Sequence, residues 1–286
     1  MDRRFDPIFV LDSGLGGLTV VDALHKRLPD EHVVYFGDTA RLPYGSKTRD
    51  TVGSFVKQII QWSLPMRPKH VVIACNTASA LALDEARRAF PQLKISGVVS
   101  PGARAAASLI QYSGQSVGVI ATQATINSGA YQRALRQAAP RVTVHAKATP
   151  LLVPIIEEGR ELDDPVVALV LKQYLRSMLK QDIDALVLGC THYPLLRQAI
   201  ERVVGPNVAV IDSAEQCAED VAARLAARNR LASGTDGRLE LFVTDEPGRF
   251  GELAARFLGK SVERPTRVAP ETLYDSPAPL VMARPA

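Results

Sequence analysis

The stretch Val71-Val72-Ile73-Ala74-Cys75-Asn76-Thr77-Ala78-Ser79 decides how this chain is read. Its apolar start is too short and too β-branched for a helix, so it reads as a buried strand. It halts at a cysteine, passes through small polar residues and enters an Ala/Leu-rich helical pattern from Leu81 to Ala89. In open α/β sheets the carboxyl end of a strand before a helix is where ligands bind. A second stretch repeats the design: Ala185-Leu186-Val187-Leu188-Gly189-Cys190-Thr191-His192-Tyr193-Pro194, with a helical pattern from Leu195. Two thiols thus sit at equivalent ends of two βα units.

Working outward, Ile8-Phe9-Val10-Leu11 predicts a buried strand ending at Asp12-Ser13-Gly14-Leu15-Gly16-Gly17, with a helix over Leu18 to Leu28. A glycine-rich turn before a helix can point N–H groups at an anion. The glycines fall as G-x-G-G, which is not the dinucleotide fingerprint G-x-G-x-x-G, so a nucleotide-binding module is disfavoured. Asp12 closes an apolar strand, where a carboxylate needs a partner to offset its desolvation. The strand His32 to Phe36 leads into a turn-rich loop containing Tyr44 and Gly45; packing and ligand contact are equally compatible with Tyr44 there.

Further along, Val98 to Gly102 reads as a turn-like crossing, with a helix over Ala103 to Ile110. The strand Ser116 to Ala121 ends in a polar run containing Thr122 and Thr125, and Pro150 to Gly159 reads as an apolar loop that includes Glu157 and Glu158. The halves read as pseudo-repeats of strand-helix-strand-helix-strand, one starting at the Asp12 strand and holding Cys75, the other starting at the Thr122 strand and holding Cys190. The expected fold is therefore α/β, with two pseudo-twofold-related domains, mainly parallel sheets and a site in the cleft between them. Residues 1–97 with 206–264 are expected to form the first domain, 98–205 the second, and proline-rich 265–286 a tail with little structure of its own.

The 286 residues allow two cores, and the net charge of +4 comes without a basic block interleaved with aromatics, so nucleic acid is not an expected partner. Three cysteines argue against a disulfide framework and for a reducing compartment. No segment has the roughly 20 apolar residues needed to span a bilayer and no signal peptide is evident; the cytoplasm is the expected location. Cys217, on a helical pattern, reads as a plain buried thiol.

Two cysteines in mirrored positions suit removal of a proton from one face of a carbon and delivery to the other, since a thiol can be tuned to act as general acid or base. Their places just before helix starts are expected to lower their pKa values. Either cysteine alone would read as a small buried hydrophobe. No compact metal motif is present, so a metal centre is not expected; a redox pair stays open as an alternative, though C-x-x-C is absent.

Taken together, Asp12-Ser13-Gly14-Leu15-Gly16-Gly17, Pro43-Tyr44-Gly45, Ala74-Cys75-Asn76-Thr77-Ala78-Ser79 and Gly189-Cys190-Thr191-His192-Tyr193-Pro194 resemble the signatures of the bacterial glutamate racemases, over roughly residues 7 to 260. The resemblance implies cofactor-independent interconversion of L- and D-glutamate, supplying D-glutamate for peptidoglycan. It implies that Cys75 takes the α-proton from D-glutamate and Cys190 from L-glutamate, that Asp12 and His192 assist the neighbouring thiols, and that Glu157 assists near His192. The implied substrate contacts are Asp12, Ser13, Tyr44, Gly45, Asn76, Thr77, Thr191 and His192, with Thr122 and Thr125 as further candidates. The family commonly forms homodimers, and some members bind and inhibit DNA gyrase, which nothing in these residues demands. An aspartate racemase or another member of the superfamily is the alternative within the same chemistry.

Overall fold

The computed structural model describes residues 3–110, 112, 114–234 and 237–274. In chain order, β1 (Ile8–Asp12), α1 (Leu18–Arg27), β2 (Val33–Gly37), α2 (Arg49–Ser63), β3 (His70–Ile73), α3 (Asn76–Ala89) and β4 (Ile95–Gly97) lead through α4 (Val99–Ser108) into the second half. There follow β5 (Ser116–Ala121), α5 (Gln123–Ser128), α6 (Ala130–Ala138), β6 (Thr143–Ala148), α7 (Leu152–Glu157), α8 (Pro165–Leu179), β7 (Ala185–Gly189), α9 (Arg197–Val204) and β8 (Ala209–Asp212). Then α10 (Ser213–Ala226), β9 (Leu239–Val243), α11 (Pro247–Leu258), β10 (Thr266–Arg267) and α12 (Glu271–Tyr274) close the described chain.

These elements make two α/β domains, one on a six-stranded sheet of order β10-β9-β2-β1-β3-β4, the other on a four-stranded sheet of order β6-β5-β7-β8. Every pairing in both is parallel. Central parallel strands are covered on both faces, which is why they read as unbroken apolar runs. All residues of β1, β2, β3 and β7 are buried.

The segment 206–264 does not belong wholly to the first sheet. Ala209–Asp212 pairs with β7, Ala185 opposite Ala209 and Leu188 opposite Asp212. The short crossover through α9 returns the chain beside β7, whose edge is open, and β9 is the first strand after β4 to rejoin the first sheet, beside β2. Two other readings fail for one reason. Residues 99–102 are the first turn of α4 rather than a crossing turn, and 152–157 form α7 rather than a loop. Pro101 and Pro154 sit in first turns, where the missing N–H costs no intrahelical bond, so these prolines initiate helices instead of breaking them. Leu152, Ile155 and Ile156 of α7 then pack into the core over the second sheet.

The stretch after 264 is also more structured than its prolines suggest. Thr266 pairs with Phe242, and Val268 and Leu273 are buried in the core beneath α2. The remainder of the expected tail, 275–286, lies outside the described residues.

At the amino end of the first sheet, away from the cysteine strand ends, Lys69 and Glu31 form a buried ion pair. The Lys69 ammonium also donates to the Arg4 and Arg230 carbonyls, and Glu31 accepts from the Ala232 N–H at 2.9 Å. This tie fastens the chain start and the segment after α10 to the sheet. Removing one partner strands a buried charge, so Lys69→Met is expected to cost about 3–5 kcal/mol, read from the urea unfolding midpoint. The double variant Lys69→Met/Glu31→Leu should recover most of that loss; a double variant as unstable as the single would contradict this account.

Candidate active site

Each domain presents strand ends to a cleft of about 740 Å³, lined by both Cys75 and Cys190. Ser13, Asn76 and Thr77 join it from the first domain, and Thr122, Thr191 and His192 from the second.

The Asp12 side is built by a tight turn. Asp12 Oδ1 accepts the Gly14 N–H at 2.9 Å, the local bond that lets an aspartate start a turn. The Tyr35 hydroxyl donates to the Gly14 carbonyl at 2.8 Å and fixes the turn from beneath. Asp12 does not line the cleft itself; it is buried under it, and its Oδ2 has no hydrogen-bond partner among the described residues. Burial raises the Asp12 pKa, opposed by the Gly14 N–H and the His192 charge.

Cys75 caps α3, its Sγ accepting the Ala78 N–H at 3.5 Å. The expected lowering of its pKa is not found. Burial and then the nearby Asp12 charge push the thiol up to about 12, outweighing the Ser13 hydroxyl and the Ala78 N–H. Cys75 therefore rests as a thiol at neutral pH. Next to it, the Asn76 amide is oriented by Tyr131, whose hydroxyl donates to Oδ1 at 2.7 Å. That leaves Nδ2 as a buried donor with no partner among the described residues.

Cys190 sits in a bend, and a turn and the 3₁₀ helix Tyr193–Leu196 precede α9, which starts at Arg197 rather than at the expected Leu195. Its Sγ lies 3.8 Å from His192 Nδ1, and His192 Nε2 lies 3.0 Å from Glu157 Oε1. Burial opposes charge on this imidazole, but Cys190 and Glu157 prevail and push its pKa up to about 10. Tyr193 holds the turn through Thr149, with hydroxyls 2.7 Å apart.

Three hydroxyls join the domains. Thr77 Oγ1 lies 2.9 Å from Thr122 Oγ1 and 3.2 Å from Thr125 Oγ1, and Thr122 and Thr125 are 2.9 Å apart. Thr122 lines the cleft, whereas Thr125 is fully buried behind it. Tyr44 and Gly45 also line the cleft, but the Tyr44 hydroxyl is committed to Asp38, which also accepts from Arg41 and Thr244. The Tyr44 hydroxyl proton is therefore spent on Asp38, which leaves its oxygen only as an acceptor.

Sequence reasoning missed the supports: Asp38 and Arg41 behind Tyr44, Tyr131 behind Asn76, and Gly16. A Cβ at Gly16 would lie 2.4 Å from both His192 Nδ1 and Thr191 Oγ1. The only early signal for Gly16 was its place in a turn with more glycines than a βα connection requires. Among the described residues no three His, Cys, Asp or Glu side chains converge as a metal-holding group, and no helix is long and apolar enough to cross a membrane.

Two strand-end thiols, one from each domain, thus line one cleft. The Asp/Glu/hydantoin racemase family model matches residues 18–221, and the chain belongs to that family. Within it the similarity is to glutamate racemases. The glutamate racemase of Chlorobaculum tepidum is 45% identical over 254 residues, covering 88% of this chain and 92% of the relative. The crystal structure of glutamate racemase from Francisella tularensis in complex with D-glutamate superposes with a TM-score of 0.85 at 35% identity, covering 93% of this chain and 98% of that one. The Thermus thermophilus glutamate racemase, solved in complex with β-chloro-D-alanine, gives a TM-score of 0.84 at 45% identity, covering 95% and 100%.

Proposed function

We propose that this chain racemises glutamate by two-base proton transfer at Cα, in the cytoplasm, supplying D-glutamate for peptidoglycan. The observation that carries the reading is that Cys75 and Cys190, one from each domain, line the same cleft. Relatives of closely similar sequence and fold are glutamate racemases, one of them solved with D-glutamate.

In this reading Cys190, as thiolate, removes the α-proton of L-glutamate, and Cys75, as thiol, delivers its proton to the opposite face; D-glutamate runs the sequence in reverse. The raised pKa of Cys75 suits a resting proton donor. To act as base toward D-glutamate it must lose that proton, and the substrate's ammonium group, drawn toward buried Asp12, supplies compensating positive charge. Glu157 holds the His192 ring, and His192 keeps positive charge beside Cys190. Without a cofactor, charge developing at Cα is stabilised by donors on the substrate carboxylates. Asn76 Nδ2, without a hydrogen-bond partner among the described residues, and the Ser13, Thr77, Thr122 and Thr191 hydroxyls supply them. Thr125 acts behind Thr122, and Tyr44 and Gly45 shape the wall. Homodimerisation and gyrase binding rest on family resemblance alone, and the cleft chemistry requires neither.

The test is incubation of the purified protein, without added cofactor, with L-glutamate and separately with L-aspartate, followed by circular dichroism. Loss of optical signal with glutamate, ending in a racemic mixture, is the expected result. Racemisation of aspartate with glutamate left untouched would replace the substrate, and inertness toward both would overturn the reading.

A further inference from the structure

His192 sits in the second domain, yet two side chains of the first domain hold it. From α1, the Thr19 hydroxyl reaches the Thr191 carbonyl at 3.0 Å while also lying 2.9 Å from the Gly16 carbonyl of its own turn. Thr191 is the residue between Cys190 and His192, so this bond fixes the peptide that sets both side chains. From α11, the Phe257 ring packs perpendicular to the imidazole, with ring centres 6.0 Å apart and planes at 90°. Glu157 anchors the far nitrogen of the same ring. Phe257 is not locked in a full core: a cavity of about 190 Å³, walled by Ile156, Gly159, Leu195, Leu253 and Arg256, opens beside it. A side chain so placed holds the imidazole only while its own ring fills that position.

We propose that Thr19 and Phe257 are positioning residues through which the first domain sets the geometry of the Cys190–His192 pair, so that the relative placement of the domains governs one of the two proton transfers more than the other. This rests on the two-base reading above. Neither residue lines the cleft, and neither is among the groups that act directly on Cys75, namely Asp12, Ser13 and the Ala78 N–H; Thr19 meets that side only through the Gly16 carbonyl of the Asp12 turn. Their effect is therefore lopsided: disturbing them hinders transfer at Cys190, and transfer at Cys75 is left as it was.

The experiment uses Thr19→Val, which keeps shape and removes the donor, and Phe257→Leu, which keeps apolar bulk and removes the ring. Each is expected to lower kcat/KM for glutamate about 10- to 100-fold, the scale of misplaced catalytic groups. Because the two directions share one equilibrium, the discriminating readout is the primary isotope effect with α-deuterated substrate. It should rise for L-glutamate, where Cys190 breaks the C–D bond, and fall for D-glutamate. Thr19→Ser and Phe257→Tyr, which restore the donor and the ring, should return both rate and isotope effects toward native values. Isotope effects that stay unchanged, or move together for both enantiomers, would overturn the proposal and leave these residues a merely structural role. Should Phe257→Leu fail to fold, Thr19→Val carries the same test with no loss of volume. A native protein that does not racemise glutamate would instead sink the reading beneath it.

Discussion

Replacing either Cys75 or Cys190 by serine is expected to lower racemisation at least about 10³-fold, because each thiol supplies general acid–base catalysis in one of two obligatory steps. A serine hydroxyl fits the space of a thiol but surrenders its proton far less readily, so the base at that face is lost while the fold is kept. The two variants should also differ from each other. In deuterium oxide, any α-proton exchange that survives in Cys75→Ser should be confined to L-glutamate, since Cys190 remains to remove and return a proton on that face. In Cys190→Ser it should be confined to D-glutamate. Proton NMR of the α-signal, with chiral separation of the product, reads both quantities. Either variant racemising within tenfold of the native rate, or exchange confined to the opposite enantiomer, would contradict the assigned faces.

The same residues show what could be read from the sequence and what could not. Both cysteine strands were legible because parallel strands are buried on both faces and therefore run apolar until they stop at the cleft. Asp12 was legible as an anomaly: a carboxylate at the end of an apolar run must have a purpose or a partner, and it has the Gly14 N–H. The electrostatic state of Cys75 was not legible. A helix start by itself lowers a thiol pKa, but the depth of burial and the position of Asp12 beside it depend on tertiary packing, and together they reverse the sign. The helices at Val99 and Leu152 were hidden because a proline in a first turn looks locally like a breaker. The division between Thr122 and Thr125 was hidden for a different reason. Both carry the same hydroxyl, and only the path of α5 puts one at the cleft and the other behind it. The strand Ala209–Asp212 had the correct type and the wrong sheet, since an apolar strand pattern does not name its neighbour.

Gly16→Ala is expected to be nearly as damaging to activity as a far larger change, with a loss in kcat/KM on the order of 10²-fold. The added methyl would lie 2.4 Å from His192 Nδ1, 2.6 Å from His192 Cε1 and 2.4 Å from Thr191 Oγ1, so something must move. A long flexible side chain would yield cheaply, but this imidazole is pinned. Glu157 holds its far nitrogen at 3.0 Å, Phe257 stands against it, and Thr19 fixes the preceding carbonyl. The strain is released either by turning His192 away from Cys190 or by easing the Gly16 turn away from the second domain, and both spoil transfer at Cys190. The stability cost should be smaller, about 1–3 kcal/mol, as for other overpacked sites, so the variant should fold and bind yet turn over slowly. Gly248, near the start of α11, makes the control: no atom lies within 4 Å of a Cβ built there. Gly248→Ala should leave kcat/KM unchanged and raise stability by about 0.4–1 kcal/mol through the entropy of the unfolded chain. Parallel racemisation and thermal-unfolding measurements on the two variants decide the matter. A Gly16→Ala protein with activity within threefold of native would mean that the close approach of the glycine turn to His192 does not govern the chemistry of the cleft.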